Sequence, residues 1–168
     1  MPSNGKRADM NKTDNHIFSR PFLESLFFVQ NKWHEHGILI HTLRVTYHIL
    51  KDKKFNFFAA GLLHDIGKPF CAFKKDDEDI EFGEYSFTDH EERSYEIIKN
   101  WFFVSEYTKQ IVRYHYLIRD IKKSQKEDYA RYESKKKIWD TLSEKLKKDL
   151  EQFLVYDDLG KGKKRRQI

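Results

Sequence analysis

Residues 59–69 read Ala-Ala-Gly-Leu-Leu-His-Asp-Ile-Gly-Lys-Pro. No other stretch limits the fold as tightly. A run of small and apolar side chains favours a buried helix, and this one ends abruptly in His64-Asp65. Gly67, free to take unusual dihedrals, and Pro69, barred from a helix interior, are expected to stop the helix there. A buried helix that finishes in His-Asp needs partners for both groups, because a buried polar group left unpaired is costly. Two readings are open at this point. The pair is either a helix end satisfied by its neighbours, or a pair of ligands presented to a cation.

The flanking sequence supplies further helices. Ser19 can cap one with Pro21 in its first turn, running through Phe22, Leu23, Leu26 and Phe27 towards Trp33. Gly37 breaks it. A second helix is expected over 38–51, with Ile40, Leu43, Tyr47 and Leu50 at helical spacing. The third, over 55–66, is apolar on nearly all sides and is expected to be central. Residues 68–87 form a long connection with an acidic tip at 76–79. Residues 80–87 alternate enough for a short strand, one arm of a small β-hairpin. Thr88 opens the next helix as a capping box with Glu91, and that helix carries Tyr95, Ile98, Trp101 and Phe102. Ser105 caps another, bearing Ile111, Val112 and His115. Residues 118–137 read as a charged stretch, a shorter helix or a partly mobile one, and the last helix starts near Asp140-Thr141 and ends before Gly160. The expected fold is therefore all-α: one helical-bundle domain over 19–160, between a flexible arm at 1–18 and a basic tail at 161–168.

With 168 residues the chain can bury a single core. Charged residues make up 35 %, and no window is apolar for long enough to span a membrane. The first residues are polar, so no secretory leader is expected. Cys71 is the sole cysteine, which rules out an internal disulfide and points to a cytoplasmic setting. The formal net charge is +5, with much of the excess in Lys161, Lys163, Lys164, Arg165 and Arg166. Such a balance suits a phosphate-bearing substrate or a nucleic acid contacted by the tail, and equally an ordinary solvated surface.

The last helix offers an independent clue. Leu142, Leu146, Leu150, Phe153 and Leu154 form its apolar stripe, and at about 100° per residue Asp157 falls near the middle of that stripe, with Asp158 at its edge. A carboxylate aimed into a core must meet a cation or hydrogen-bond donors. A frayed helix end releasing it to solvent is the alternative.

The segment at 59–69 resembles the signature of the HD superfamily of metal-dependent phosphohydrolases, whose core reads small-small-x-Leu-Leu-His-Asp-Ile-Gly-Lys. His41-Thr42-Leu43-Arg44-Val45 looks like the family's His-Thr-Leu-x-Val, and Asp157-Asp158-Leu159-Gly160-Lys161 looks like its Asp-x-x-Gly-basic ending. The resemblance implies that His41, His64, Asp65 and Asp157 hold a divalent metal (Mn, Fe, Co, Ni or Mg). His90 resembles the His of the family's Gly-His-Glu element, with Asp89 replacing the Gly, and His115 resembles a His on the following helix. These are the candidate ligands of a second metal. One or two metals per chain are implied, with the balance towards one, His90 and His115 being otherwise substrate contacts. Gln30 through His34 resembles the segment ahead of the first ligand in HD domains of tRNA nucleotidyltransferases and poly(A) polymerases. His48 matches no family ligand and is expected to be structural; His16 carries no signal.

The implied activity is hydrolysis of a nucleotide or nucleotide-derived phosphate ester by metal-activated water, with Asp65 and Lys68 catalytic and His34, Lys68 and Arg44, with Lys32 behind them, contacting substrate. An RNA-end or cyclic-phosphate phosphodiesterase is the alternative enzyme. A non-catalytic HD domain binding nucleic acid or a partner protein is the alternative from another class.

Overall fold

The computed structural model describes residues 23, 24, 26–28, 30, 34–73 and 85–162. Most of the helix expected over 19–33, Lys32, His16, the acidic tip at 76–79 and residues 163–168 lie outside that range.

Helix α1 (Ile38–Lys51) forms where it was expected, but on the opposite register. Its buried side is Ile38, His41, Val45, Thr46 and Ile49, whereas Ile40, Leu43, Tyr47 and Leu50 face outward at 40–60 % exposure. The segment carries two apolar stripes. The one that buries holds the β-branched residues that fit a close neighbour. Gly61 provides that neighbour: a Cβ there would lie 2.8 Å from Ile49 Cδ1.

The long central helix expected over 55–66 is divided. A 3-10 turn (Phe55–Phe57) leads into α2 (Phe58–Leu63), then a turn through His64, Asp65 and Ile66 leads into α3 (Lys68–Cys71). Phe57 and Ala60 are buried while Phe55, Phe58 and Leu62 are exposed, so only one side of this segment is central. Gly67 also departs from its expected role. Its φ is −80°, an ordinary right-handed value, and it caps α3, with Pro69 in the first turn of that helix. Glycine is needed there because a Cβ would come within 2.5 Å of both the His90 carbonyl oxygen and the Ser94 nitrogen.

Strand β1 (Ala72–Phe73) pairs antiparallel with β2 (Ser86–Phe87), Ala72 opposite Phe87, so a small β element does occur in the long connection. Helix α4 (His90–Ile98) has no capping box: its N-cap is Asp89 in the left-handed region at φ 57°, without a side-chain bond. Trp101 and Phe102 fall beyond its end, in the turn before α5 (Glu106–Tyr114). Ser105 caps α5 as expected, its hydroxyl accepting from Thr108 N.

The charged stretch is two helices, α6 (Leu117–Glu127) and α7 (Tyr129–Thr141), parted at Asp128. Helix α8 (Glu144–Gly160) starts later than expected, capped by Ser143, because residues 140 and 141 close α7 instead. Its stripe of Leu146, Leu150, Phe153 and Tyr156 packs into a core with Val45, Ile49, Phe57, Ile98 and Ile111. The architecture is a bundle of helices, all-α apart from the short β pair. No described helix is long and apolar enough to cross a membrane.

Candidate metal centre

The His-Asp turn is anchored by Ser94, which is fully buried on α4. Its hydroxyl donates to the His64 carbonyl (2.7 Å) and accepts from Gly67 N (2.9 Å). Side chains from α1, the turn, α4, the end of α5 and α8 then converge on one buried point.

Three histidines share a local device. His64 Nδ1 bonds the Gly61 carbonyl (3.0 Å), His90 Nδ1 the Phe87 carbonyl (2.8 Å) and His115 Nδ1 the Val112 carbonyl (2.7 Å). A carbonyl only accepts, so each Nδ1 carries a hydrogen and each Nε2 is turned to the centre, where the neutral rings of His90 and His115 present lone pairs. His41 differs: its Nδ1 is buried with no hydrogen-bond partner among the described residues.

The two oxygens of Asp65 divide the site. Oδ2 lies 3.3 Å from His41 Nε2 and 3.2 Å from His64 Nε2; Oδ1 lies 3.4 Å from His90 Nε2 and 3.9 Å from His115 Nε2. Asp157 joins the first side, with Oδ1 3.0 Å from His41 Nε2 and 3.8 Å from His64 Nε2. The result is two buried groups, His41-His64-Asp157 and Asp65-His90-His115, the ligand atoms of each lying within 4.8 Å of one another.

Electrostatics show what this arrangement lacks. Burial pushes the imidazole of His90 down to about 4 and that of His115 down to about 3, so both rings are neutral at pH 7. Their Nε2 lone pairs nevertheless face each other at 3.3 Å. Burial opposes ionisation of Asp65, but the neighbouring His64 and Lys68 charges hold its carboxyl well below the usual range. Asp65 Oδ2 is buried without a hydrogen bond of acceptable geometry, although Lys68 Nζ is 2.7 Å away. Opposed lone pairs and a mixed imidazole–carboxylate donor set fit divalent cations. His41, His64, Asp65 and Asp157 would hold one, and Asp65, His90 and His115 a second.

Lys68 and His34 reach this centre. Lys68 is buried, with its ammonium between Asp65 Oδ2 and Gln30 Oε1 (2.6 Å). Gln30 in turn donates to the His36 carbonyl. His34 is buried with its ring edge-on to His41, and burial pushes it down to about 2. Arg44 is half-buried on α1, its Nε buried without a hydrogen-bond partner among the described residues. His48 sits half-buried on α1 with its ring edge-on to the exposed Tyr47.

Two residues had no sequence signal, and a third had one only as the basic end of the Asp-x-x-Gly element. Ser94 is an unremarked serine in an amphipathic helix. Arg119 donates to Asp157 Oδ2 (3.0 Å) and Asp158 Oδ1 (2.6 Å) from within the charged stretch. Lys161, assigned on sequence to the tail, is part of the fold. Its carbonyl accepts from Glu35 N (3.0 Å), and its Nζ lies 3.3 Å from Asp157 Oδ2.

Residues 38–153 match the family described as HD domain. The matched span contains every candidate ligand except Asp157, which lies just past its end. No curated protein and no solved structure matches the chain.

Proposed function

The chain belongs to the HD domain family, whose members are in general metal-dependent phosphohydrolases, and from that premise we propose that it hydrolyses a nucleotide-derived phosphate ester at a two-metal centre. The observation that carries this reading is the division of the two Asp65 oxygens between two sets of buried donors. On sequence the balance lay with one metal; the opposed lone pairs of His90 and His115 favour two.

Divalent cations at such a centre supply an acidified water and polarise a phosphoryl oxygen. The chain's own groups do the rest. Asp65 is shared between both donor groups. Lys68, its ammonium held between Asp65 and Gln30, is placed to offset charge that develops on a phosphate. His34, neutral and beside His41, contributes a polar contact for the substrate.

The alternative of an RNA-end or cyclic-phosphate diesterase draws support from Gln30, which accepts from Lys68, and from His34, which lies edge-on to His41. Purified metal-free protein, reloaded with Mn, Co, Ni or Mg, is to be offered nucleoside mono- and triphosphates, cyclic nucleotides and RNA ending in a cyclic phosphate. Metal-dependent product release from one class is the expected result. Stoichiometric metal uptake with no turnover on any class would leave the non-catalytic binding domain as the better reading.

A further inference from the structure

Asp157 provides the first group with its second carboxylate, yet nothing within α8 fixes how that carboxylate turns. It sits in the last turn of the helix, where helix ends loosen. Its oxygens face opposite ways. Oδ1 looks towards His41 and His64, while Oδ2 is taken by Arg119 Nη2 at 3.0 Å and approached by Lys161 Nζ at 3.3 Å. Both cations also reach the exposed Asp158, Arg119 at 2.6 Å and Lys161 at 3.0 Å. Asp158 therefore tethers the two cations, and the cations tether Asp157. Arg119 comes from α6, so this tether ties α8 to a helix that holds none of the candidate ligands.

We propose that Arg119 is a positioning residue for the first metal group: it holds the Asp157 carboxylate with Oδ1 towards His41 and His64, and so raises that group's metal affinity without touching the metal. The inference rests on the metal-centre reading above. Simple electrostatics predicts the opposite sign. A guanidinium near a cation site repels the cation, so removing it as a mere charge would tighten metal binding. Removing it as a tether weakens binding, because the carboxylate is freed to rotate and to pair elsewhere. The effect is also local, since Arg119 has no contact with Asp65, His90 or His115 among the described residues.

The test is titration of the full metal-free chain with Co(II), read by visible absorbance. It compares wild type, Arg119→Met and Arg119→Lys, each also in a His90→Gln/His115→Gln background that leaves only the first group. Arg119→Met is expected to weaken Co(II) binding at the first group about 10- to 100-fold, the usual cost of losing a residue that orients a ligand. The second group should be unchanged, and Arg119→Lys should recover part of the loss. Equal or tighter binding at the first group in Arg119→Met overturns the proposal. If Arg119→Met fails to fold by circular dichroism, Asp158→Asn replaces it. That variant removes only the outer tether and is expected to weaken the first group in the same direction; unchanged binding there also overturns the proposal. Wild type that binds no Co(II) at either group overturns the metal-centre reading itself, a result distinct from the others.

Discussion

The two donor groups meet at Asp65 but are built differently. In the second, both imidazoles are locked by a carbonyl three residues earlier in the chain, Phe87 for His90 and Val112 for His115. That is local architecture, complete as soon as each helix end forms. In the first, only His64 is locked that way, by the Gly61 carbonyl, and the rest depends on distant parts. His41 Nδ1 has no fixing partner, Asp157 is steered by Arg119 and Lys161, and its members come from α1, the turn after α2 and α8. A ligand oriented by its own backbone needs only the right element, whereas a ligand oriented by remote side chains needs the whole bundle assembled.

Asp65→Asn is the change expected to do most, because it removes the one residue common to both groups. Metal-dependent turnover should fall to background while the helical circular dichroism signal persists. Retained turnover at saturating metal would show that the two groups do not depend on a shared carboxylate.

Gly67→Ala comes next. The added methyl has no room between the His90 carbonyl and Ser94 N, and both obstacles are backbone. Overpacking of this kind is expected to cost about 3 kcal/mol or more in thermal or denaturant unfolding. It should also move α4 away from the His-Asp turn, so His90 loses Asp65 before His41 does. A fully stable variant with unaltered metal content would mean that this close approach is not needed.

His115→Gln separates the groups more gently. Metal content by elemental analysis should drop from two per chain to one, the remaining ion belonging to the first group. Two equivalents in the variant would remove His115 from the ligands.

The last expected effect is on the pH dependence of the metal-free protein. Burial holds His90 at about 4 and His115 at about 3, below the value of about 6.5 for a free imidazole. The unfolded chain therefore takes up these protons first. The stability linked to the two rings is complete above about pH 6.5 and declines as the pH falls towards 4. Urea unfolding of wild type and of His90→Gln/His115→Gln across that range isolates their share, and the variant should show the shallower slope. Parallel slopes would mean that the rings are not held neutral by the fold.

Much of this site is legible in the chain. His64-Asp65 announces itself by closing an apolar run, and Asp157 by continuing the stripe of Leu146, Leu150 and Phe153. The register of α1 was not legible. Ile40, Leu43, Tyr47 and Leu50 make as good a stripe as the one that buries, and only the partners on α2 and α8 choose between them. Gly67 was recognised as a necessary glycine for the wrong reason, since the crowding comes from α4, far along the sequence.

By itself, then, the amino-acid order determined the helical class, the His64-Asp65 helix end and the inward face of Asp157, which follow from periodicity and local chemistry. His41, His90 and His115 came as candidate donors only from the resemblance to the HD superfamily. Only the tertiary structure decided that Asp65 is shared, that Lys68 is buried between Asp65 and Gln30, and that Arg119 and Lys161 steer Asp157. Each of these depends on which oxygen or nitrogen of a side chain faces which neighbour. That direction is set by packing between helices remote in sequence, and no spacing along the chain encodes it.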